Sequence, residues 1–157
     1  MHNKKKSTNV KYSMLRKAAL TPIDLCFQKG IIPRDSYNAA CFFSRLYMIR
    51  FGQQLRMSSS YDSCLAKLCI FPPSGNLSQE QHAWFNRTYL QIHDKLVQLK
   101  AYEIVRDICI FEHIPNFLKI MPAQLRSNSD ALLEYILLKN GLNEISVFLY
   151  RKKLCPN

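Results

Sequence analysis

Two parts of this chain carry side chains whose type and spacing suit recognition of a polyanion. Lys4, Lys5, Lys6 and Lys11 stand in an opening stretch of twenty residues that holds six basic residues and no acid, and Arg151, Lys152 and Lys153 repeat the charge at the far end. Such side chains neutralise phosphates without reading sequence. Each contact releases condensed counterions, so binding of this kind weakens steeply with salt. The second part is the stretch around Arg126, Asn128 and Ser129. Arginine suits a guanine edge, asparagine an adenine edge and serine a phosphate, while Lys119 and Gln124 stand where they could hold the backbone. These side chains fall where a first helix over Ile114–Ile120 and a turn over Met121–Arg126 would lead into a second helix over Asn128–Lys139, whose start carries Asn128 and Ser129. Asp130 and Glu134 on the same helix oppose phosphate, and residues 101–150 hold four basic side chains against six acids. A packed helical hairpin whose polar residues are caps and a solvated face is the competing reading.

Other chemistry has less behind it. Cys109 and His113 are four apart, and Cys64 and Cys69 could complete a set of zinc-ligand types. No Cys-x-x-Cys occurs, however, and ordinary core or boundary residues account for all four. Glu103 and Asp107 lie one helical turn apart, as a general acid/base pair would, but Arg106 and Lys100 beside them point to a surface charge cluster. His82 and His93 read as exposed or boundary residues. There is no glycine-rich phosphate loop, nucleophile elbow or His-Glu-x-x-His. The expectation is a protein without catalytic residues, metal or cofactor.

Those side chains must be positioned by a body of nearly balanced charge. The chain carries a formal +11, of which residues 21–150 hold 13 basic and 11 acidic side chains, so the excess belongs mainly to the two ends. Detached basic arms usually meet nucleic acid or an anionic surface. A length of 157 residues fits one domain, and a chain this long buries roughly 70% of its unfolded surface without needing a staple. Hydrophobic content of 48% and charged content of 21% are globular values. No apolar run is long enough for a membrane span. The opening lysines resemble the start of an export signal, but Asn9, Lys11, Arg16 and Lys17 interrupt any apolar core. The expected location is therefore the cytoplasm, with the six cysteines reduced. Arg34, Arg45, Arg50 and Arg56 read as a solvated rim.

Helix signals punctuate the sequence. Residues 1–20 read as a flexible basic arm. Thr21-Pro22 opens a helix that Gly30 stops. A second helix runs from about Arg34 to Phe51, and Tyr37, Ala40, Cys41, Ser44 and Tyr47 recur at i, i+3, i+4 along one buried stripe widened by Phe42, Phe43 and Leu46. A third is predicted over Tyr61–Phe71, closed by Pro72-Pro73, which divides a subdomain over residues 21–73 from one over 74–157. Ser78 with Gln81 makes a capping box for a helix whose buried face is Trp84, Phe85, Thr88, Ile92, Leu96 and Leu99. Tyr102–Glu112 continues as a helix, bent or separate. Pro115 and Pro122 bracket a short one. A helix from about Asn128 should stop at Asn140-Gly141, before a last helix carrying Leu142, Ile145, Phe148 and Leu149. No stretch alternates with period two, so the fold class is all-α, a compact bundle of seven to eight helices.

The stretch Thr21–Tyr47 resembles the opening of a poorly characterised family of bacterial and phage-like proteins. Pro22, Gly30, Ile32, Tyr37, Ala39, Phe43, Leu46 and Tyr47 match its pattern, while Ile23 stands for leucine and Ala40 for glycine. Leu132, Leu133, Leu137, Gly141, Leu142 and Ile145 are similar to the family's later Gly-Leu-x-x-Leu region, which looks like a helix-turn-helix unit. Some relatives join that unit to a DNA-binding domain. The resemblance implies no catalytic residue. It implies a DNA-binding or regulatory protein acting on double-stranded DNA. The alternative is a non-enzymatic interaction or structural module. In that reading aromatic faces such as Phe42, Phe43, Tyr47, Trp84 and Phe85 meet a protein partner or a second copy.

Overall fold

The computed structural model describes residues 20–51 and 77–152 of the chain. Among them are seven helical elements and no strand. The basic arm through Lys11, the Tyr61–Phe71 stretch, the Pro72-Pro73 loop, Cys64, Cys69, Cys155 and Lys153 lie outside the described residues.

Helix α1, Pro22–Gln28, forms because both of its ends are satisfied locally. The Thr21 hydroxyl accepts from the Asp24 amide at 3.2 Å, and Asp24 Oδ2 accepts from the Thr21 amide at 2.9 Å. This reciprocal pair closes two of the orphan donors of the first turn. Gly30 ends the element with φ +69°, a conformation that costs a side-chain-bearing residue energy. The other Asp24 oxygen accepts the Tyr37 hydroxyl at 2.8 Å, which ties α1 to α2, Arg34–Phe51. The Phe27 and Tyr37 rings stack beside that bond, 4.7 Å between centroids.

Helix α2 is the axis of the molecule. Ala39 to Ser44 are six consecutive buried residues, so it is covered on every side along its middle. One flank is α3, Gln79–Gln98, opened by the Ser78–Gln81 capping box. Its buried residues Phe85, Thr88, Tyr89, Ile92 and Leu96 follow helical spacing. The chain then turns at Lys100, φ 57°, into α4, Tyr102–Cys109. Sequence alone left the join between these two helices bent or broken, and the left-handed Lys100 makes it a break. Ser44 holds α4 to α2: its hydroxyl lies 2.9 Å from the Ala40 carbonyl and 3.2 Å from the Cys109 carbonyl, which no intrahelical amide could reach.

Two short elements follow, α5, Asn116–Lys119, and a 3-10 turn, η1, over Pro122–Ser127. The chain then enters α6, Ser129–Arg151, 23 residues in one piece. Here the sequence reading needs correction. Asn140-Gly141 is not a stop. Gly141 is a crossing point, where a Cβ would stand 2.7 Å from Val105 Cγ2 and 3.1 Å from Ala101 Cβ. The glycine brings the start of α4 against α6, and burial of Leu138, Leu142, Ile145 and Leu149 carries the helix through it. Residues on both sides of 52–76 contribute to one core. The expected burial of Leu99 is also corrected, for it is exposed at the end of α3.

Candidate functional site

The residues expected to meet DNA surround the corner formed by α5, η1 and the start of α6. Lys119, Gln124, Arg126, Asn128 and Ser129 are all exposed. The corner is built by short-range bonds. Glu134 on α6 accepts from the Asn116 amide at 2.6 Å and from its side-chain nitrogen at 3.0 Å, which pins the first turn of α5. The Ser127 hydroxyl donates to the Gln124 carbonyl at 2.8 Å and closes η1. Asn128 Oδ1 accepts from the Ala131 amide at 3.1 Å and caps α6.

These bonds change the expected boundaries. The element before the turn spans Asn116–Lys119 rather than Ile114–Ile120, the turn is a 3-10 helix, and the helix after it runs to Arg151 rather than Lys139. The first helix is thus a single turn between prolines, set against α6 by Phe117, whose ring lies 5.8 Å from that of Tyr135. Two of the expected roles change as well. The amide of Asn128 is held by its own helix, so it does not turn its oxygen and nitrogen together toward an adenine edge. The outward surface of α6 presents Leu133 and Ile136, 56% and 42% exposed and one turn apart. Met121, at the entrance to η1, is 68% exposed.

The far end of α6 carries the other described cations. Arg151 belongs to its last turn and Lys152 is its C-cap, where positive charge offsets the partial negative charge of the helix end. A rise of 1.5 Å per residue puts Arg151 about 33 Å from Ser129. Arg126 and the C-terminal cations therefore stand at opposite ends of one rod instead of converging.

The remaining candidates resolve into packing. Arg106 donates from Nε at 3.0 Å and Nη2 at 2.9 Å to Asp107 Oδ1, and its guanidinium lies 5.5 Å and 5.6 Å from the Tyr102 and Phe111 ring centres. Asp107 is held by this pair instead of facing Glu103. Arg34 and Arg50 lie over Phe27 and Tyr89. Cys109 is buried and His113 exposed, and no cluster of three or more metal-ligand side chains occurs among the described residues. Burial pushes the Cys26 thiol up to about 12 and raises that of Cys109 further, so neither offers a thiolate near neutral pH.

One polar group was not foreseen. The Tyr89 and Tyr102 hydroxyls lie 2.7 Å apart, with the His93 ring 4.5 Å from that of Tyr102. Burial, then the bond to Tyr102, raises the Tyr89 phenol well above its ordinary value. The bond between the two hydroxyls joins α3 to α4. The thirteen-residue separation across a chain reversal gave no sequence signal for it. No protein family, curated protein or solved structure matches this chain.

Proposed function

We propose that this protein is a non-enzymatic helical interaction module that pairs with a second copy of itself through the α5–η1–α6 corner. The observation that carries this reading is the apolar outward face of α6, Leu133 and Ile136, on a helix end that is otherwise fixed by caps. Large apolar side chains presented together on a rigid surface favour burial against another protein. A second copy is the occupant that the charges suit. Lys119 and Arg126 are exposed on this corner together with Asp130, and none of the three has an ion-pair partner among the described residues. In a two-fold pairing each copy meets the same surface, so a corner holding both signs can match cation to acid across the axis. Light scattering tests this directly. The expected mass at micromolar concentration is that of a dimer, and Leu133→Lys should return it to the monomer. A monomeric mass for the unaltered chain at every concentration would end the reading.

A second reading is a DNA-binding or regulatory protein of bacterial or phage-like kinship. It is favoured by the exposure of all five corner residues around the positive end of α6 and by the charge of the opening segment. Phosphate contacts from Lys4, Lys5, Lys6, Lys11, Arg151, Lys152 and Lys153 would supply the affinity, and Arg126 what base reading there is. A fluorescent duplex titrated at two salt concentrations, with and without residues 1–20, tests it. The reading expects a steep salt slope and a loss on deletion. Absence of binding at low salt would exclude it. Arg126→Ala should relax any sequence preference without a large loss of overall affinity.

A further inference from the structure

We propose that the cleft between the first half of α3 and the last turns of α6 binds a small aromatic anion, a single planar ring bearing one carboxylate or phosphate. The cleft has a volume of about 250 Å³ and is lined by Trp84, Arg87, Thr88, Gln91, Phe148 and Lys152. The first four recur at i, i+3, i+4 and i+7 and so share one face of α3, while the last two are one turn apart on α6. Ligand sites of this kind combine aromatic walls with a few convergent polar groups. Here the walls are Trp84 and Phe148. Trp84 is held edge-on to Phe85, centroids 4.9 Å apart and rings at 80°.

Every polar group in the lining can donate a hydrogen bond, and none is an acid. Arg87 is exposed and has no acidic partner among the described residues. Lys152 rests 5.9 Å from the centre of the Phe148 ring and is likewise without an acid there. Thr88 is 4% exposed and lines the cleft, where its hydroxyl can donate to an anionic oxygen. Arginine offers a planar fork matched to carboxylate and phosphate alike. The volume lies just below the usual ~300–1,000 Å³ of small-molecule pockets, which limits the occupant to one ring and its charged substituent. The site is independent of the α6 corner, at the opposite end of that helix.

Trp84 is the sole tryptophan of the chain, so its emission reports on this cleft alone. The full-length protein is titrated with benzoate, phenyl phosphate, benzyl alcohol and inorganic phosphate. The expected result is a saturable change with one of the two aromatic anions, at least tenfold tighter than with the neutral ring or with inorganic phosphate. The tighter of the two anions identifies the charged group. Arg87→Gln should weaken that binding roughly tenfold and Thr88→Val several-fold, with unchanged circular dichroism. No saturable change, equal binding of benzyl alcohol, equal binding of inorganic phosphate, or an Arg87→Gln variant that binds like the unaltered chain would each overturn the proposal.

Discussion

The two halves of α6 have opposite relations to the rest of the molecule. From Leu138 onward the helix is core: Leu138, Leu142, Ile145 and Leu149 are all but fully buried, and Gly141 lies against α4. Before that point only Ala131 is fully covered, while Leu133 and Ile136 face outward. Mean apolar content does not separate the halves. What separates them is how completely each is covered: the short α5 lies beside the first half, with Phe117 against Tyr135, and leaves Leu133 and Ile136 exposed. The buried half is held by packing and the exposed half by its cap and by Glu134, so sequence changes in the two should have unlike consequences.

The sharpest contrast is truncation of Leu142 against truncation of Leu133. Leu142→Ala should destabilise the fold by about 2–5 kcal/mol in urea denaturation, because it leaves a cavity that rigid neighbours do not fill. Measured at dilutions where the chain is monomeric, Leu133→Ala should stay within about 0.5 kcal/mol, as exposed substitutions do. Equal losses at the two positions would break the contrast between the halves.

Gly141→Ala comes next. Helix propensity alone would make it stabilising by up to about 1 kcal/mol. The 2.7 Å approach to Val105 Cγ2 reverses the sign, and a net loss of about 1–3 kcal/mol is expected from overpacking. A gain in stability would mean that α4 and α6 can move apart freely. Smaller still is Asn128→Ala, which removes the cap on the exposed half and should cost about 1 kcal/mol. Its effect should concentrate there, read as faster amide exchange in the first turns of α6 with the turns after Leu138 unchanged.

Local signals in the sequence read well where the interaction is itself local. The capping box of Ser78 with Gln81 joins residues three apart and forms as the pattern predicts, and Thr21 caps its helix as expected, with Asp24 returning a second bond that the pattern did not specify. The burial of α2 was legible from its stripe at helical spacing widened by Phe42, Phe43 and Leu46. The continuity of α6 was not. Asn-Gly is a strong stop on an isolated helix, and the contact that overrides it comes from Ala101 and Val105, about forty residues away in sequence. The site was legible only in part. The exposure of Arg126 and Asn128 follows from their polarity, whereas the cap that holds Asn128 and the distance from Arg126 to Arg151 depend on where helices begin and end. Arg87 and Gln91 drew no notice, because their face of α3 has meaning only once Phe148 and Lys152 lie across from it.

By itself the order of residues determined the helical class, the caps, the central helix and the concentration of positive charge outside the body. Each follows from spacing within a few residues or from simple counting. Only the tertiary structure decided that one long helix serves as core at one end and surface at the other, and that Arg87 and Thr88 on one helix meet Phe148 and Lys152 across a cleft. Those facts depend on which helices come to lie side by side, and burial, not local preference, selects that arrangement.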